Sequence, residues 1–155
     1  MAAQAWKVYA TAKRYIGDGT IDLSGLFRMC LVRQSATALG MSAKCTALSV
    51  WASLSAVEIT AQGGYAAHGR QISGVVWSTG ASANQMKFSY TTSGIVFTAS
   101  GANLTAIRFA VLRNSTGANA GKLLCYCSLS SAQFSITSPN TLTIIPAATG
   151  VFTLT

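Results

Sequence analysis

The chain has 155 residues, half of them hydrophobic, and carries eleven lysines and arginines against three acids, for a formal net charge of +8. That length suits a single domain over residues 1–155 with a core large enough to need neither metal nor disulfide staples. Charged residues make up only 9%, against roughly 25% in an ordinary soluble domain, which excludes the usual salt-laced surface and most acid–base chemistry. So few charges imply a surface covered by neighbouring molecules, or one built of Ser, Thr, Ala, Gly and Asn in the manner of a structural shell.

Taken in order, residues 3–16 place Trp6, Tyr9, Ala12 or Lys13, and Ile16 at spacings of three and four, so a short amphipathic helix is expected there, although Trp6, Val8 and Ala10 also alternate as in a strand. Gly17-Asp18-Gly19-Thr20 ends it, giving a helix and turn over 1–20 and a β-sandwich over 21–155. From Ile21, with Leu23, Phe27, Met29 and Leu31, a strand is expected, bulged at Gly25. Residues 35–44 read as an exposed loop, and 45–60 as a helical turn or two around Leu48, Trp51 and Leu54, followed by a short strand at Val57 and Ile59. Ile72, Val75 and Trp77 form a strand broken at Gly74.

Met86 to Asn114 shows the architecture most openly. Phe88 and Tyr90, then Ile95 and Phe97, then Ile107, Phe109 and Val111 recur at every second position, and TTSG and SGAN separate them, so the stretch reads as three strands folded back on one another. LLCYCSL and FSI continue the pattern. Pro139 and Pro146 flank a strand near a sheet edge, and Val151, Phe152 and Leu154 tie the C-terminus into the sheet. About eight to ten short strands with one or two short helices make the class all-β, a sandwich or small barrel.

Chemistry is sparse. Asp18 and Asp22 lie close together but beside a glycine turn, where Asp18 is expected to make an Asx-type bond rather than serve as half of a carboxylate pair. His68 is the only histidine; without a G-x-S-x-G elbow it reads as a surface contact or turn residue. Cys125 and Cys127 share one strand face with Tyr126 on the other, and with Cys30 and Cys45 they read as reduced, buried thiols rather than zinc ligands. Neither phosphate-binding glycine motif is present, so no cofactor is expected. Asn103 and Asn114 match glycosylation sequons but read as turn asparagines. Trp51, Tyr65 and Trp77 could stack on a sugar, with core packing the better use for most of them. The N-terminus lacks an apolar targeting region and no run of about 18 apolar residues occurs, so synthesis in the cytoplasm without a membrane anchor is expected. The cations stand mostly singly, with only Lys13 and Arg14 adjacent; this argues against nucleic acid and for a basic face that meets an acidic protein surface.

The succession AWKVYATAKRYIG, GDGTIDLSG, FRMCLV, GGYAAHGRQISGVVW, IRFAVLRNSTGANAGKLLCYCSL and a closing GVFTLT resembles, over about residues 5–155, a family of small virion proteins of tailed bacteriophages. Its members carry more acids in their loops than this chain does. The resemblance implies a jelly-roll-like β-sandwich acting as a decoration or cement protein: made in the bacterial cytoplasm, located on the virion's outer head surface, bound to the major capsid protein, and self-associated as a homotrimer. Candidate contacts are Lys7, Lys13, Arg14, His68, Arg70 and Arg113, with the N-terminal helix and the loops at 35–44 and 62–70. Two other readings stand beside it: a phage tail component, such as a tube, adaptor or fibre-base subunit, and a carbohydrate-binding module for the host surface.

Overall fold

A computed structural model of the chain describes residues 5–33, 48–82 and 84–154. It is mostly β, with several antiparallel sheets and one short helix. The loop expected at 35–44, and Cys45, lie outside the described residues.

The largest sheet has five strands in the order β1 (Lys7–Val8), β9 (Leu123–Ser128), β8 (Phe109–Asn114), β2 (Phe27–Val32) and β3 (Arg70–Gln71). Register aligns Val8, Cys125, Leu112, Met29 and Arg70 in one cross-strand row, and Lys7, Tyr126, Val111 and Cys30 in the next. Successive rows point to opposite faces. The face bearing Phe27 and Met29 meets the smaller sheets: Phe27 lies edge-on to Phe88, 5.3 Å away, and Phe88 stacks on Phe152 at 5.2 Å. Tyr126, on the opposite face, packs on Tyr9 at 5.4 Å. With both faces covered, β2, β8 and β9 are buried almost continuously, which is why FRMCLV, FAVLRN and LLCYCS do not alternate cleanly with polar residues.

Among the described residues there are three smaller sheets: β12 (Phe152–Leu154), β5 (Met86–Ser89) and β4 (Val76–Thr79); β11 (Thr141–Ile144) with β6 (Ile95–Thr98); and β10 (Phe134–Ile136) with β7 (Leu104–Ile107). The expected fold-back within 86–114 is therefore corrected. The turns are there, but β5, β6, β7 and β8 do not pair with one another: β5 lies between β4 and β12, β6 pairs with β11, β7 with β10, and β8 lies between β2 and β9. The run Ile107, Phe109, Val111 is not one strand either. Ala106 takes a positive φ of 59°, Ile107 pairs with Phe134, and Phe109 pairs with Val32 and Ser128, so the chain changes sheet at Arg108.

At the N-terminus the helix is α1, Ala10–Gly17, beginning later than expected. The open edge of β9 takes Lys7 and Val8 as a strand, and the Tyr9 amide donates to the Leu124 carbonyl. A helix of this length is marginal alone, so the sheet edge wins the first residues, and α1 persists by burying Ala12 and Tyr15. The strand expected from Ile21 begins at Phe27. Asp22 Oδ1 accepts from the Ser24 amide and hydroxyl, and the Gly25 amide donates to the Asp22 carbonyl, so 22–25 is a turn with Ile21 and Leu23 buried beside it. Gly25 closes that turn rather than bulging a strand. Around Trp51 and Ser55 stand two single 3-10 turns, followed by a bridge between Glu58 and Val32. β11 pairs only with β6, and β12 holds the C-terminal segment on β5, as the prolines and the apolar end suggested.

Phe88 is fully buried between rings from two other strands. Phe88→Ala is expected to cost about 3–5 kcal/mol of unfolding free energy in a denaturant titration; a loss under about 1 kcal/mol would mean that this contact does not join the large sheet to the smaller one.

Candidate functional site

Arg28 on β2 and Arg113 on β8 are directly opposite each other in the register. Like charges so placed repel, and among the described residues no lysine or arginine is paired with an aspartate or glutamate; the one approach is His68 Nδ1 to Glu58 Oε2, at 4.0 Å. Backbone carbonyls hold the arginines instead. Arg28 Nη2 donates to the Gly69 carbonyl at 3.0 Å, and Arg113 Nη2 to the His68 carbonyl at 3.3 Å, which also accepts from Cys30 Sγ at 3.3 Å.

Both carbonyls are turned onto the sheet because His68 and Gly69 each take a left-handed backbone, with φ of 68° and 74°. Histidine tolerates that region better than most residues. Position 69 needs glycine for a second reason: a Cβ there would stand 2.2 Å from the Met29 carbonyl oxygen. Tyr65 anchors the other end of the loop. Its hydroxyl donates to Glu58 Oε1 at 2.7 Å and accepts from the Leu31 amide at 3.0 Å. With Ile59 donating to the Leu31 carbonyl and Ile72 to that of Phe27, the whole outer edge of β2 is occupied.

The loop separates two hollows. One, of about 360 Å³, is lined by Arg28, Arg70, Gln71, Thr98 and Ser100, with Tyr65 and Phe97 also contributing to its walls. The other, wide open and of about 470 Å³, is lined by Trp51, His68 and Arg113 with small residues around them. Arg113 Cζ lies 5.5 Å from the Trp51 ring centroid, a cation–π contact in a buried setting.

Cys30, His68 and Glu58 are the residue types of a thiol–base–acid set, but the geometry does not activate the thiol. Cys30 donates to the His68 backbone, not to its imidazole. Burial pushes its pKa up to about 12, so it stays protonated at neutral pH. Burial likewise raises Cys125 well above the ordinary thiol value and Cys127 to about 11. Cys30, Cys125 and Cys127 are buried, in keeping with their reading as small hydrophobes.

Of the six residues named from sequence, Lys7, Lys13, Arg14, His68 and Arg70 are exposed. Arg113 is not: it is 9% exposed, drawn in by Trp51 and the His68 carbonyl, and so is not an exposed contact. The structure does not gather the rest into one patch. Lys7, Lys13 and Arg14 belong to β1 and α1, at one edge of the five-stranded sheet, and His68 and Arg70 to the loop and β3 at the other. Asp18 accepts from the Thr20 amide at 2.9 Å in the expected Asx turn, and Asp22 from Ser24; the side chains of Thr20 and Ser24, then their amides, hold both carboxyls below the usual range. Asn114 Oδ1 accepts from the Thr116 amide in a local turn, as expected, whereas Asn103 Oδ1 accepts from the amide of Ser138 and ties two distant segments together. Trp51 and Tyr65 are buried at 6% and 4% exposure, which removes them from any exposed stacking platform.

The facing arginines escaped the sequence reading. Their signal is a cation inside an apolar run, in FRMCLV and FAVLRN, where a central strand demands a partner for the charge. Comparison with known protein families, characterised proteins and solved structures returns no match.

Two outcomes are expected. Gly69→Ala and Gly101→Ala share a positive φ, but only Gly69 has a neighbour within 4 Å of a built Cβ. Gly101→Ala is expected to show backbone strain alone, about 1–2 kcal/mol, and Gly69→Ala clearly more; equal losses in parallel thermal melts would contradict the close packing of the loop on β2. Second, the raised thiols of Cys30, Cys125 and Cys127 and the raised phenols of Tyr65 and Tyr90 all keep their protons longer folded than unfolded. Their contribution to stability is complete below the unfolded thiol pKa, near 8.5 to 9, and is lost as pH rises toward the folded values. Denaturant midpoints should therefore fall as pH rises above about 9, less steeply in Cys30→Ala; identical slopes would contradict the assignment.

Proposed function

We propose that the chain is a virion structural protein of a tailed bacteriophage, a decoration or cement protein that binds the outer surface of the head and stabilises the lattice of the major capsid protein. The observation that carries this reading is the arrangement of charge. Exposed cations stand at both edges of the large sheet, separated by roughly 19 Å for four inter-strand spacings, while Glu58 is spent on Tyr65 and the two exposed acids on their own turns. A body with an exposed basic group at each edge, and with the two arginines between them held by backbone carbonyls, suits bridging between two acidic neighbours. Its layers, joined through Phe27, Phe88 and Phe152, support reading the fold as a jelly-roll-like β-sandwich. Many copies that bind the assembled lattice more tightly than free subunits stabilise it by mass action.

Burial of Trp51 and Tyr65 leaves Trp77 alone of the three aromatics partly exposed, which weighs against the carbohydrate reading. A tail location is distinguished by experiment. The purified protein is mixed with mature heads that lack it, sedimented at low and high salt, and any complex imaged by electron cryo-microscopy. Saturable binding at lattice positions, weakened by salt, is expected. Bare heads with density in the tail would replace this reading with the tail one.

A further inference from the structure

The hollow between the 64–71 segment and β6 brings two guanidiniums to one cleft without a carboxylate in its lining. Arg28 uses Nη2 on the Gly69 carbonyl, and Arg70 uses Nη1 on the Val96 carbonyl. Each therefore keeps further N–H donors on its exposed side, and Arg28 Nε, buried behind them, has no hydrogen-bond partner among the described residues. The amide of Gln71 and the hydroxyls of Thr98 and Ser100 complete a lining rich in donors. The walls are set by backbone contact: a Cβ at Gly64 would meet the Thr98 carbonyl oxygen at 2.7 Å, as one at Gly69 would meet Met29. The cleft is thus held open by packing that leaves little room for adjustment.

We infer that this cleft binds a carboxylate, the side chain of an aspartate or glutamate on a docking protein, with Arg70 and Arg28 as its donors. Paired guanidiniums match a planar carboxylate with parallel N–H···O bonds. A nucleic-acid strand fits less well. Tyr65 and Phe97 lie 4% exposed beneath the surface, where no base can stack on them, and the cations form no continuous track for a phosphate backbone. The inference deepens the decoration reading by naming its contact.

The test uses amide chemical-shift mapping on the full chain at low salt. Four probes are added in turn: a short peptide containing Asp and Glu, its Asn/Gln counterpart, inorganic phosphate and a single-stranded oligonucleotide. The acidic peptide is expected to shift residues 64–71 and 96–100 saturably, the amide peptide to leave them unmoved, and Arg70→Gln, an exposed position, to weaken acidic-peptide binding at least tenfold. Arg28→Gln should do the same provided that its spectrum stays dispersed. Unchanged affinity in Arg70→Gln, or tighter binding of phosphate or oligonucleotide than of the acidic peptide, would overturn the inference. Applying Arg70→Gln to head sedimentation separates the two proposals. Heads bound as tightly as by the parent protein would overturn the cleft as the contact while the decoration reading stands. Heads left bare by the parent protein, with the peptide shifts intact, would overturn the decoration reading while the cleft stands.

Discussion

Two arginines face each other across β2 and β8, and the way their charge is met shapes much of the molecule around them. A protein with ordinary acid content would place an aspartate or glutamate beside each. Here Glu58 is the only acid besides Asp18 and Asp22, which serve their own turns, and Tyr65 engages it. The compensation falls to the carbonyls of His68 and Gly69, and a carbonyl can be brought there only by a loop whose backbone turns into the left-handed region twice running. From that one requirement follow the positive φ of His68, the need for glycine at 69, the anchoring of Tyr65 and the closure of the β2 edge. Partial charges on oriented carbonyls offset a guanidinium less completely than an ion pair does. The site therefore keeps a net positive character, and the basic hollow beside the loop is a consequence of the same arrangement.

The loop also belongs to a fold held together mainly by long-range pairing. Among the described residues only β4 with β5 and β8 with β9 join strands connected by short turns; β1, β2, β6, β7 and the C-terminal strands find partners far along the chain. Loop-closure entropy must be met before such contacts stabilise anything. The stabilisation comes from faces buried on both sides of the central strands and from the aromatic contacts between layers. The proposed decoration role would gain from this, since local opening of one strand breaks packing on several others.

Much of the β character was legible because period-two alternation is written plainly at Phe88, Tyr90, Ile95 and Phe97, and because Asn114 and Asp18 carry turn chemistry in their own side chains. What was not legible depended on distant partners. Nothing near Lys7 and Val8 reveals that β9 offers them an open edge, so a weak helical period there looked stronger than it was. Asp22 could be recognised as a turn former, but only the structure shows that it stops a strand which Ile21 and Leu23 appear to begin. Arg113 looked like an exposed contact because a lone arginine usually is; its burial rests on Trp51 and the His68 carbonyl, 62 and 45 residues away in sequence. The candidate site was half visible: His68 and Arg70 stood in a glycine-rich loop, while the reason for that loop, the arginine pair beneath it, lay in two other strands.

The central claim, that backbone carbonyls of the His68 loop hold Arg28 and Arg113, is tested most directly by nitrogen-15 spectra of the arginine side chains in the native protein. Guanidinium groups free in solvent rotate and exchange fast, and their Nη–H signals collapse. The account predicts that Arg28 and Arg113, assigned by substitution, give resolved, exchange-protected Nη–H signals with through-space contacts to the 68–69 segment, in contrast to exposed Arg14. Averaged, rapidly exchanging signals for both would contradict it.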